Sequence, residues 1–234
     1  MNDQASNPKG EFDNRIVLVT GAAGALGQAV VDTFAQSGAT LAQLDVVAID
    51  NGHYSAICDL TDAQACAAAV NAIVAELGRV DVLANIAGGF AMGEQVHETS
   101  AETWDFMFNL NAMSVLNMAR AVVPSMLAQA SGKLVNVGAR AGLRGAGQMG
   151  AYSAAKSVVI RLTESLAEEL KEQGINVNCV LPSIIDTARN REDMPDADFS
   201  RWVAPTALAR VVRFLASSAA DPIHGAAIPV EGLS

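Results

Sequence analysis

The chain has 234 residues, a formal net charge of −10 and 51% hydrophobic residues. This length suits one α/β domain with a sizeable core, and the negative charge argues against nucleic acid or an anionic membrane surface as a partner. No apolar run approaches the roughly 18 residues of a membrane span, residues 1–13 lack the features of a signal peptide, and the Cys and His residues show no metal-ligand spacing. We therefore expect a cytoplasmic protein without a metal site that acts on a small molecule.

Apolar runs rich in β-branched residues alternate with segments of helical apolar spacing. The predicted strands are 15–20, 40–45, 54–58, 80–85, 133–137, 175–181 and 226–230, and the predicted helices are 28–37, 62–77, 103–128, 152–173 and 205–217. This alternation predicts a Rossmann-type α/β fold, a doubly wound parallel sheet of about seven strands with helices on both faces. We expect a single domain over 14–234 that follows a flexible segment at 1–13, with a mobile polar lid at 186–200.

A glycine-rich turn joins the first predicted strand to the first helix. Gly21, Gly24 and Gly27 lie in it, together with Ala25 and Leu26. Glycines allow the backbone to approach a pyrophosphate closely, and the first turn of a helix offers free N–H groups and the positive end of its dipole. The succession of strand, turn and helix therefore predicts a nucleotide site; the alternative is a tight turn that binds no ligand.

Asp45 ends the second predicted strand. An acidic residue about 20 residues beyond such a glycine turn binds the adenosine ribose hydroxyls. From Gly21 to His53 the sequence contains no Lys or Arg that could pair with a 2′-phosphate. We therefore expect NAD(H) to be preferred over NADP(H); the alternative is an ordinary aspartate at a strand end.

Tyr152 and Lys156 lie four residues apart in a predicted helix. This spacing places both side chains on the same face, one turn apart. An ammonium beside a phenol favours the phenolate and is expected to lower the pKa of Tyr152 from its usual value of about 10. The pair is thus a candidate for general acid–base catalysis, although such a spacing also arises by coincidence.

These motifs, in this order, resemble the short-chain dehydrogenase/reductase family over about residues 14–231. The matching pieces are TGAAGALG at 20–27, Asp59, NIAG at 85–88, Asn111, YSAAK at 152–156 and VLPSIIDT at 180–187. The resemblance implies that Tyr152 is the catalytic acid/base, that Lys156 binds the nicotinamide ribose, and that Asn111 holds a water of the proton relay. The cofactor-binding residues that it implies are Gly21, Gly24, Ala25, Leu26, Gly27, Asp45, Asp59, Leu60, Asn85, Ala87, Gly88, Tyr152, Lys156, Pro182, Ile185 and Thr187.

Three positions depart from the family pattern. The middle glycine of the turn is Gly24 followed by Ala25, Ser183 stands where a Gly often follows the Pro, and Ala139 occupies the position of the catalytic Ser. Losing one hydrogen-bond donor to a reacting oxygen typically costs about 100- to 1000-fold in rate. The candidate substrate residues are Ala139, Arg140, Arg144 and Gln148, and the alternatives for replacing the missing hydroxyl are Arg140, Arg144, Gln148 and Ser153.

The segments 138–142 and 180–202 resemble the dihydropteridine reductase-like branch of the family, which lacks the Ser and reduces a quinonoid pterin with NADH. The first hypothesis is therefore an NAD(H)-dependent oxidoreductase acting on a carbonyl/alcohol compound or on a quinonoid, pterin-like small molecule. The alternative is a dinucleotide-binding homologue with weak or no catalysis and a binding or regulatory role. Apolar residues on more than one face of the helices at 103–128 and 152–173, together with the resemblance, predict a homodimer or homotetramer.

Overall fold

The computed structural model describes residues 10–234, and these contain one seven-stranded parallel sheet. The strands are β1 (Ile16–Thr20), β2 (Thr40–Asp45), β3 (Tyr54–Ile57), β4 (Val82–Asn85), β5 (Gly132–Val137), β6 (Ile175–Pro182) and β7 (Ala227–Val230). Their order is β3-β2-β1-β4-β5-β6-β7, which confirms the predicted doubly wound, Rossmann-type class. Since the winding reverses between β1 and β4, a crevice forms there at the carboxyl ends of the strands.

Helices cover both faces of the sheet, as predicted. They are α1 (Ala25–Ala35), α2 (Ala63–Leu77), α3 (Ala101–Phe108), α4 (Ser114–Gln129), α5 (Gly150–Leu170), α6 (Ala188–Asp193) and α7 (Pro205–Ala216). Along β1, Val17 and Val19 pack against α1 and α7, whereas Leu18 packs against α2, α4 and α5. Successive side chains of a strand point to opposite faces, so a strand covered on both sides is a continuous apolar run. No helix within residues 10–234 is long and apolar enough to cross a membrane.

Phe12 belongs to the packed core, although it falls within the predicted flexible segment 1–13. It is 2% exposed, its ring meets Phe34 edge-on with centroids 4.9 Å apart, and its N–H donates to the Ser37 carbonyl at 3.0 Å. The packed domain therefore begins before the predicted boundary at residue 14. Residues 1–9 of that segment lie outside the described residues.

The predicted continuous helix over 103–128 is interrupted. α3 ends at Phe108, a π-helical turn spans Asn109–Met113, and α4 begins at Ser114. Asn111, in this turn, is fully buried and bonds to Gly89, outside the helix. Asn is a poor helix former because its amide competes with backbone groups, and π-helical turns occur frequently at functional sites.

The predicted lid at 186–200 contains regular structure. Thr187 caps α6 by accepting a hydrogen bond from the Asn190 N–H at 3.2 Å. Arg191 Nε donates to Asp186 at 2.6 Å, and its guanidinium lies 4.7 Å from the centroid of the Phe199 ring. These contacts give the segment after β6 a defined conformation, and its mobility stays a prediction.

Candidate active site

A cavity of about 1050 Å³ lies along the carboxyl ends of the strands. It extends from the glycine turn between β1 and α1, past the ends of β2 and β4, to α5 and the segment after β6. The predicted cofactor residues that line it are Gly21, Gly24, Ala25, Leu26, Gly27, Asp45, Asp59, Leu60, Ala87, Gly88, Tyr152, Lys156, Pro182 and Ile185. Ordinary small-molecule pockets measure about 300–1000 Å³, so this cavity is slightly larger than that range.

The glycine turn tolerates only glycine at its two ends. Gly21 has φ +63°, and a Cβ there would lie 2.8 Å from the Ala87 Cα. A Cβ on Gly27 would lie 2.1 Å from the Gly21 carbonyl oxygen, whereas one on Gly24 would meet only that oxygen, at 3.4 Å. The first-turn N–H groups of α1 have no intrahelical acceptor, and the first three residues of α1 line the cavity. This arrangement fits a pyrophosphate.

Two aspartates stand at the other side of the glycine turn. Asp45 Oδ2 accepts from the Ala23 N–H at 2.9 Å, and its Oδ1 accepts from the Val46 N–H at 2.8 Å. Asp59 Oδ1 accepts from the hydroxyl and the N–H of Thr61, which lowers the pKa of that carboxyl group. Both carboxylates line the cavity, where their remaining lone pairs can accept hydrogen bonds from ribose hydroxyls or an adenine amino group.

Tyr152 and Lys156 lie one turn apart in α5 and both line the cavity. Lys156 is 4% exposed, and its Nζ donates to the Val137 carbonyl at 2.9 Å. The same Nζ lies 6.0 Å from the centroid of the Tyr152 ring. Phe90 packs edge-on against this ring, with centroids 4.9 Å apart. These contacts hold the phenol and the ammonium in one wall of the cavity.

Burial dominates the ionisation of this pair. It raises the pKa of Tyr152 to about 12 and lowers the pKa of Lys156 to about 8. The expectation that Lys156 lowers the pKa of Tyr152 is therefore wrong for this structure. The reason is that Nζ directs its hydrogen bond to Val137, so loss of water around the phenol outweighs the attraction of the ammonium. Tyr152 is accordingly a protonated phenol at neutral pH.

Asn111 joins the π-helical turn to the loop after β4. Its Oδ1 accepts from the Gly89 N–H at 3.1 Å, and its Nδ2 donates to the carbonyls of Gly89 at 3.1 Å and Met107 at 3.0 Å. A Cβ on Gly88 would lie 2.9 Å from Asn111 Oδ1 and 3.2 Å from Lys156 Nζ. Both amide donors of Asn111 are thus used within the protein, and the side chain does not line the cavity. Asn111 positions the loop, and its water-holding role stays a prediction.

Four further predicted site residues lie elsewhere, which corrects their sequence-based placement: Asn85, Thr187, Arg144 and Gln148 do not line the cavity. Asn85 is buried, and its Nδ2 donates to Asn136 Oδ1 at 2.8 Å, which ties β4 to β5. Thr187 uses its hydroxyl to cap α6. Arg144 and Gln148 are exposed on the segment that leads into α5.

Ala139 forms part of the cavity wall just after β5 and is 5% exposed. Of the alternatives for its missing hydroxyl, only Arg140 lines the cavity. Arg140 Nε lies 2.9 Å from Glu231 Oε1, and its Nη1 donates to the Ser234 carbonyl at 3.2 Å. Ser153 is buried outside the cavity, and its Oγ has no hydrogen-bond partner among the described residues.

Much of the cavity wall was not predicted from the sequence. The additional lining residues there include Phe90, Met92, Leu110, Met149, Ile184, Asn190, Met194 and Ser234. Phe90 and Met92 are 53% and 57% exposed. Large apolar side chains that are exposed beside a cavity are typical of ligand contacts. For Phe90 and Met92 the sequence did contain a signal: two large apolar residues lie in a loop directly after the NIAG motif at 85–88.

The family model described as short chain dehydrogenase matches residues 15–198. This chain belongs to the short-chain dehydrogenase/reductase family. It is 33% identical over 242 residues to D-threitol dehydrogenase of Mycolicibacterium smegmatis, which covers 94% of this chain and 93% of that protein. It is also 32% identical over 242 residues to 2-dehydro-3-deoxy-D-gluconate 5-dehydrogenase of Dickeya dadantii, with 94% and 95% covered.

A solved structure of the family has the same fold. Carveol dehydrogenase from Mycobacterium avium, in complex with NAD, matches with a TM-score of 0.86 and 25% identity, covering 95% of this chain and 98% of that one. This short-chain dehydrogenase is therefore an oxidoreductase, and its fold is one that binds a nicotinamide dinucleotide. The glycine turn, the free N–H groups of α1 and the size of the cavity fit such a cofactor.

Proposed function

We propose that this short-chain dehydrogenase transfers a hydride between NAD(H) and a small carbonyl or alcohol compound, with Tyr152 as acid/base. The observation that carries this proposal is the placement of Tyr152 and Lys156 in one wall of a cavity whose other end contains the glycine turn and Asp45. When bound, the nicotinamide supplies or accepts the hydride. The residues of this chain then have to donate or accept the proton of the reacting oxygen.

Tyr152 is suited to give a proton to the reacting oxygen. Its pKa of about 12 keeps it protonated at neutral pH, and the pKa of about 8 leaves most of Lys156 charged there. Proton loss from Tyr152 creates an anion in a buried wall, and the nearby ammonium stabilises that anion. We therefore expect carbonyl reduction to be favoured near neutral pH and alcohol oxidation to require a higher pH.

The cavity walls favour a compact substrate with an apolar body, because Phe90 packs against Tyr152 and Met92 and Met194 also line the cavity. Ala139 offers no hydroxyl to a localised oxyanion, which suits a conjugated substrate whose negative charge is delocalised. A quinonoid, pterin-like compound is one candidate of this kind. The names of the relatives, which include D-threitol dehydrogenase, support the carbonyl/alcohol reaction type.

We infer a preference for NAD(H) over NADP(H). The Asp45 carboxylate, at the end of β2, would repel a 2′-phosphate and can accept from ribose hydroxyls. The basic residues that line the described cavity are Arg140 and Lys156; Arg140 is paired with Glu231, and Lys156 donates to the Val137 carbonyl. The NAD bound to carveol dehydrogenase supports the same preference.

The absence of a hydroxyl at Ala139 is the observation that favours an alternative function. In this alternative the protein binds a dinucleotide, has weak or no catalysis, and has a binding or regulatory role. A family member without the catalytic hydroxyl has lost one donor to the reacting oxygen. The retained Tyr152 and Lys156 support the enzymatic proposal over this alternative, since binding alone does not require a proton donor in the cavity wall.

The test compares wild type with Tyr152→Phe, using NADH and NADPH against small ketones, diketones, quinones and a quinonoid dihydropterin. We expect wild-type turnover with NADH preferred at least about tenfold in kcat/KM. Tyr152→Phe should lose about 100-fold or more in turnover while its Kd for NADH changes little, because only the ionisable group is removed. Wild-type rates in Tyr152→Phe would show that the proton donor lies elsewhere. NADH binding without turnover of any compound would favour the binding-protein alternative.

A further inference from the structure

Two serine hydroxyls meet at the end of the sheet that carries Ala139. Pro182 pairs with Val230 in the register of β6 and β7, so the next residue, Ser183, lies beside Glu231. Ser183 Oγ donates to the Glu231 carbonyl at 2.7 Å and lies 2.8 Å from Ser234 Oγ. Both Ser183 and Ser234 line the cavity. Ser183 is also the residue that replaces the glycine usual in the family at this position.

The segment Glu231–Ser234, here called the β7 tail, is held from two sides. On one side Arg140 Nε lies 2.9 Å from Glu231 Oε1, and its Nη1 donates to the Ser234 carbonyl at 3.2 Å. On the other side Arg201 Nη2 donates to the Leu233 carbonyl at 2.5 Å, and the Leu233 N–H donates to the Arg201 carbonyl at 2.8 Å. These bonds place Ser234 in the cavity wall beside the residues that follow β5.

The protons of the two hydroxyls are both engaged within the protein. The Ser183 proton goes to the Glu231 carbonyl, and the Ser234 proton can go to Ser183 Oγ at 2.8 Å or to the Glu231 carbonyl at 3.2 Å. The oxygen lone pairs are what remains available to a ligand. The pair therefore offers acceptors in a mainly apolar cavity and does not replace the donor that is missing at Ala139.

We propose that the Ser183–Ser234 hydroxyl pair is a specificity site for the substrate. It accepts a hydrogen bond from a hydroxyl or N–H group that the substrate carries in addition to its reacting carbonyl or alcohol carbon. This inference rests on the proposed oxidoreductase function and narrows the substrate class to hydroxy ketones, diols or cyclic ketones with an N–H group. Ser183 and Ser234 are half-buried, so a bound analogue that lacks the donor takes water from these acceptors without giving them a partner and is disfavoured.

Matched compounds test this proposal and separate the two donor types. Acetoin is compared with 2-butanone, which lacks the hydroxyl, and isatin is compared with N-methylisatin, which lacks the N–H. For at least one pair we expect the donor-bearing compound to have a kcat/KM at least about tenfold higher in wild type. Ser183→Ala should reduce that ratio about tenfold, mainly through KM, since ground-state binding is what the hydroxyl supplies.

Two further variants keep the outcome interpretable. Arg201→Met loosens the β7 tail without touching either hydroxyl, so it should also lower the ratio. Ser55→Ala is the matched control, because Ser55 Oγ donates to the Ile49 carbonyl at 2.7 Å but does not line the cavity; its ratio should equal that of wild type.

A wild-type ratio near one for both pairs, or an unchanged ratio in Ser183→Ala, would overturn this inference and leave the oxidoreductase proposal intact. If the wild type turns over no compound of the wider panel, the proposed function fails and this inference fails with it.

Discussion

Desolvation sets the ionisation of Lys156 and thereby links the active site to stability. The ordinary pKa of a lysine, 10.5, is lowered to about 8 in the folded protein. Between these two values the unfolded chain binds more protons than the folded one, so the contribution of Lys156 to stability increases as pH rises through this window. At neutral pH the folded protein therefore carries a buried charge that destabilises it. Such a cost in stability is common where a residue is needed for activity.

We expect Lys156→Met to be inactive but more stable than wild type at pH 7. Lowering the pKa of Lys156 from 10.5 to about 8 corresponds to roughly 3 kcal/mol. Loss of the hydrogen bond to Val137 offsets part of this gain. The free energy of unfolding of Lys156→Met should therefore exceed that of wild type by about 1–2 kcal/mol. Urea unfolding at pH 7 and at about pH 9.5 measures the difference, which should shrink at the higher pH, where Lys156 in wild type is mostly neutral.

The control for this experiment is Lys171→Met. Lys171 is exposed and paired with Glu168, so its replacement should change the free energy of unfolding by less than about 0.5 kcal/mol. A stability difference between wild type and Lys156→Met that does not depend on pH would contradict the assignment to a buried charge.

Ala139 provides a second prediction at the residue scale. Ala139→Ser restores a donor near the reacting oxygen, so kcat/KM for a simple ketone should rise about tenfold or more, since one donor is typically worth about 100- to 1000-fold in an optimised site. For a quinonoid substrate the negative charge is delocalised, and the change should be neutral or unfavourable. The measurement is kcat/KM of both proteins on one ketone and one quinone. Equal gains on both compounds would contradict this explanation of Ala139.

At the scale of elements, the unit of β1, glycine turn and α1 builds the cofactor end of the cavity. Its two outer glycines contact backbone closely, and its middle one has more room: a Cβ on Gly27 would lie 2.1 Å from the Gly21 carbonyl oxygen, whereas a Cβ on Gly24 would lie 3.4 Å from it. The three positions of the motif thus require glycine for different physical reasons. Gly27 permits close packing of the helix on the backbone of Gly21 and Ala22, and Gly24 leaves room for the ligand.

These reasons predict opposite phenotypes for two identical substitutions. Gly27→Ala should destabilise the protein by about 1–3 kcal/mol, because backbone must move to admit the methyl group. Gly24→Ala should leave the free energy of unfolding nearly unchanged, since φ −71° and ψ 162° suit any residue, while it weakens NADH binding about tenfold or more. Urea unfolding and NADH titration of both variants measure this. Equal stability of the two variants would contradict it.

The helices α3 and α4 show how one buried side chain shapes an element. The regular α-helical hydrogen bonds of the backbone are interrupted by the π-helical turn at Asn111. In this turn the side-chain amide of Asn111 bonds to Gly89 and Met107. Asn117, one element further, makes a similar connection by donating to the carbonyls of Leu60 and Thr61. The helical layer thereby fixes the loops after β3 and β4, and these loops line the cavity.

At the scale of the whole molecule, the layer of α3, α4 and α5 presents apolar side chains on its outer side. Of the apolar side chains on which the assembly prediction rests, Met107 and Val159 are buried in the core, whereas the others are half-buried: Leu110, Met113, Leu116, Val158, Leu162 and Leu166. Trp104 and Phe106 of α3 are 39% and 56% exposed. Partly exposed apolar side chains on neighbouring helices are typical of a subunit contact.

We therefore expect wild type to be a homodimer or homotetramer by light scattering at micromolar concentration. Leu162→Glu places a charge in the proposed contact and should shift the protein to a smaller species. Ile57→Glu is the control, because Ile57 is 67% exposed but lies in the edge strand β3, so the assembly should be unchanged. A monomeric wild type would refute the predicted assembly.

The composition of the whole chain supports its predicted location. Cys58, Cys66 and Cys179 are free and buried, and burial raises the pKa of each thiol. Thiols of this kind are unreactive, and unpaired cysteines are typical of proteins in reducing compartments. A cytoplasmic location stays a prediction.

Local patterns were sufficient to predict the order of the elements, the fold class, the glycine turn and the Tyr152–Lys156 pair. Each depends on residues close together in the chain: an apolar run makes a buried strand, and a four-residue spacing places two side chains on one helical face. The position of Asp45 in the cavity wall could also be predicted from its place at a strand end, because parallel strands bring their carboxyl ends to one edge.

Only the tertiary structure decided what surrounds these residues. Lys156 bonds to Val137, Asn85 to Asn136, and Ser183 meets Ser234, and in each case the partners are distant in the sequence. The ionisation of Tyr152 depends on how much water the fold removes around it, which no local pattern contains. The sequence therefore determined which groups are available, and packing between distant segments determined their orientation, their charge and the shape of the substrate side.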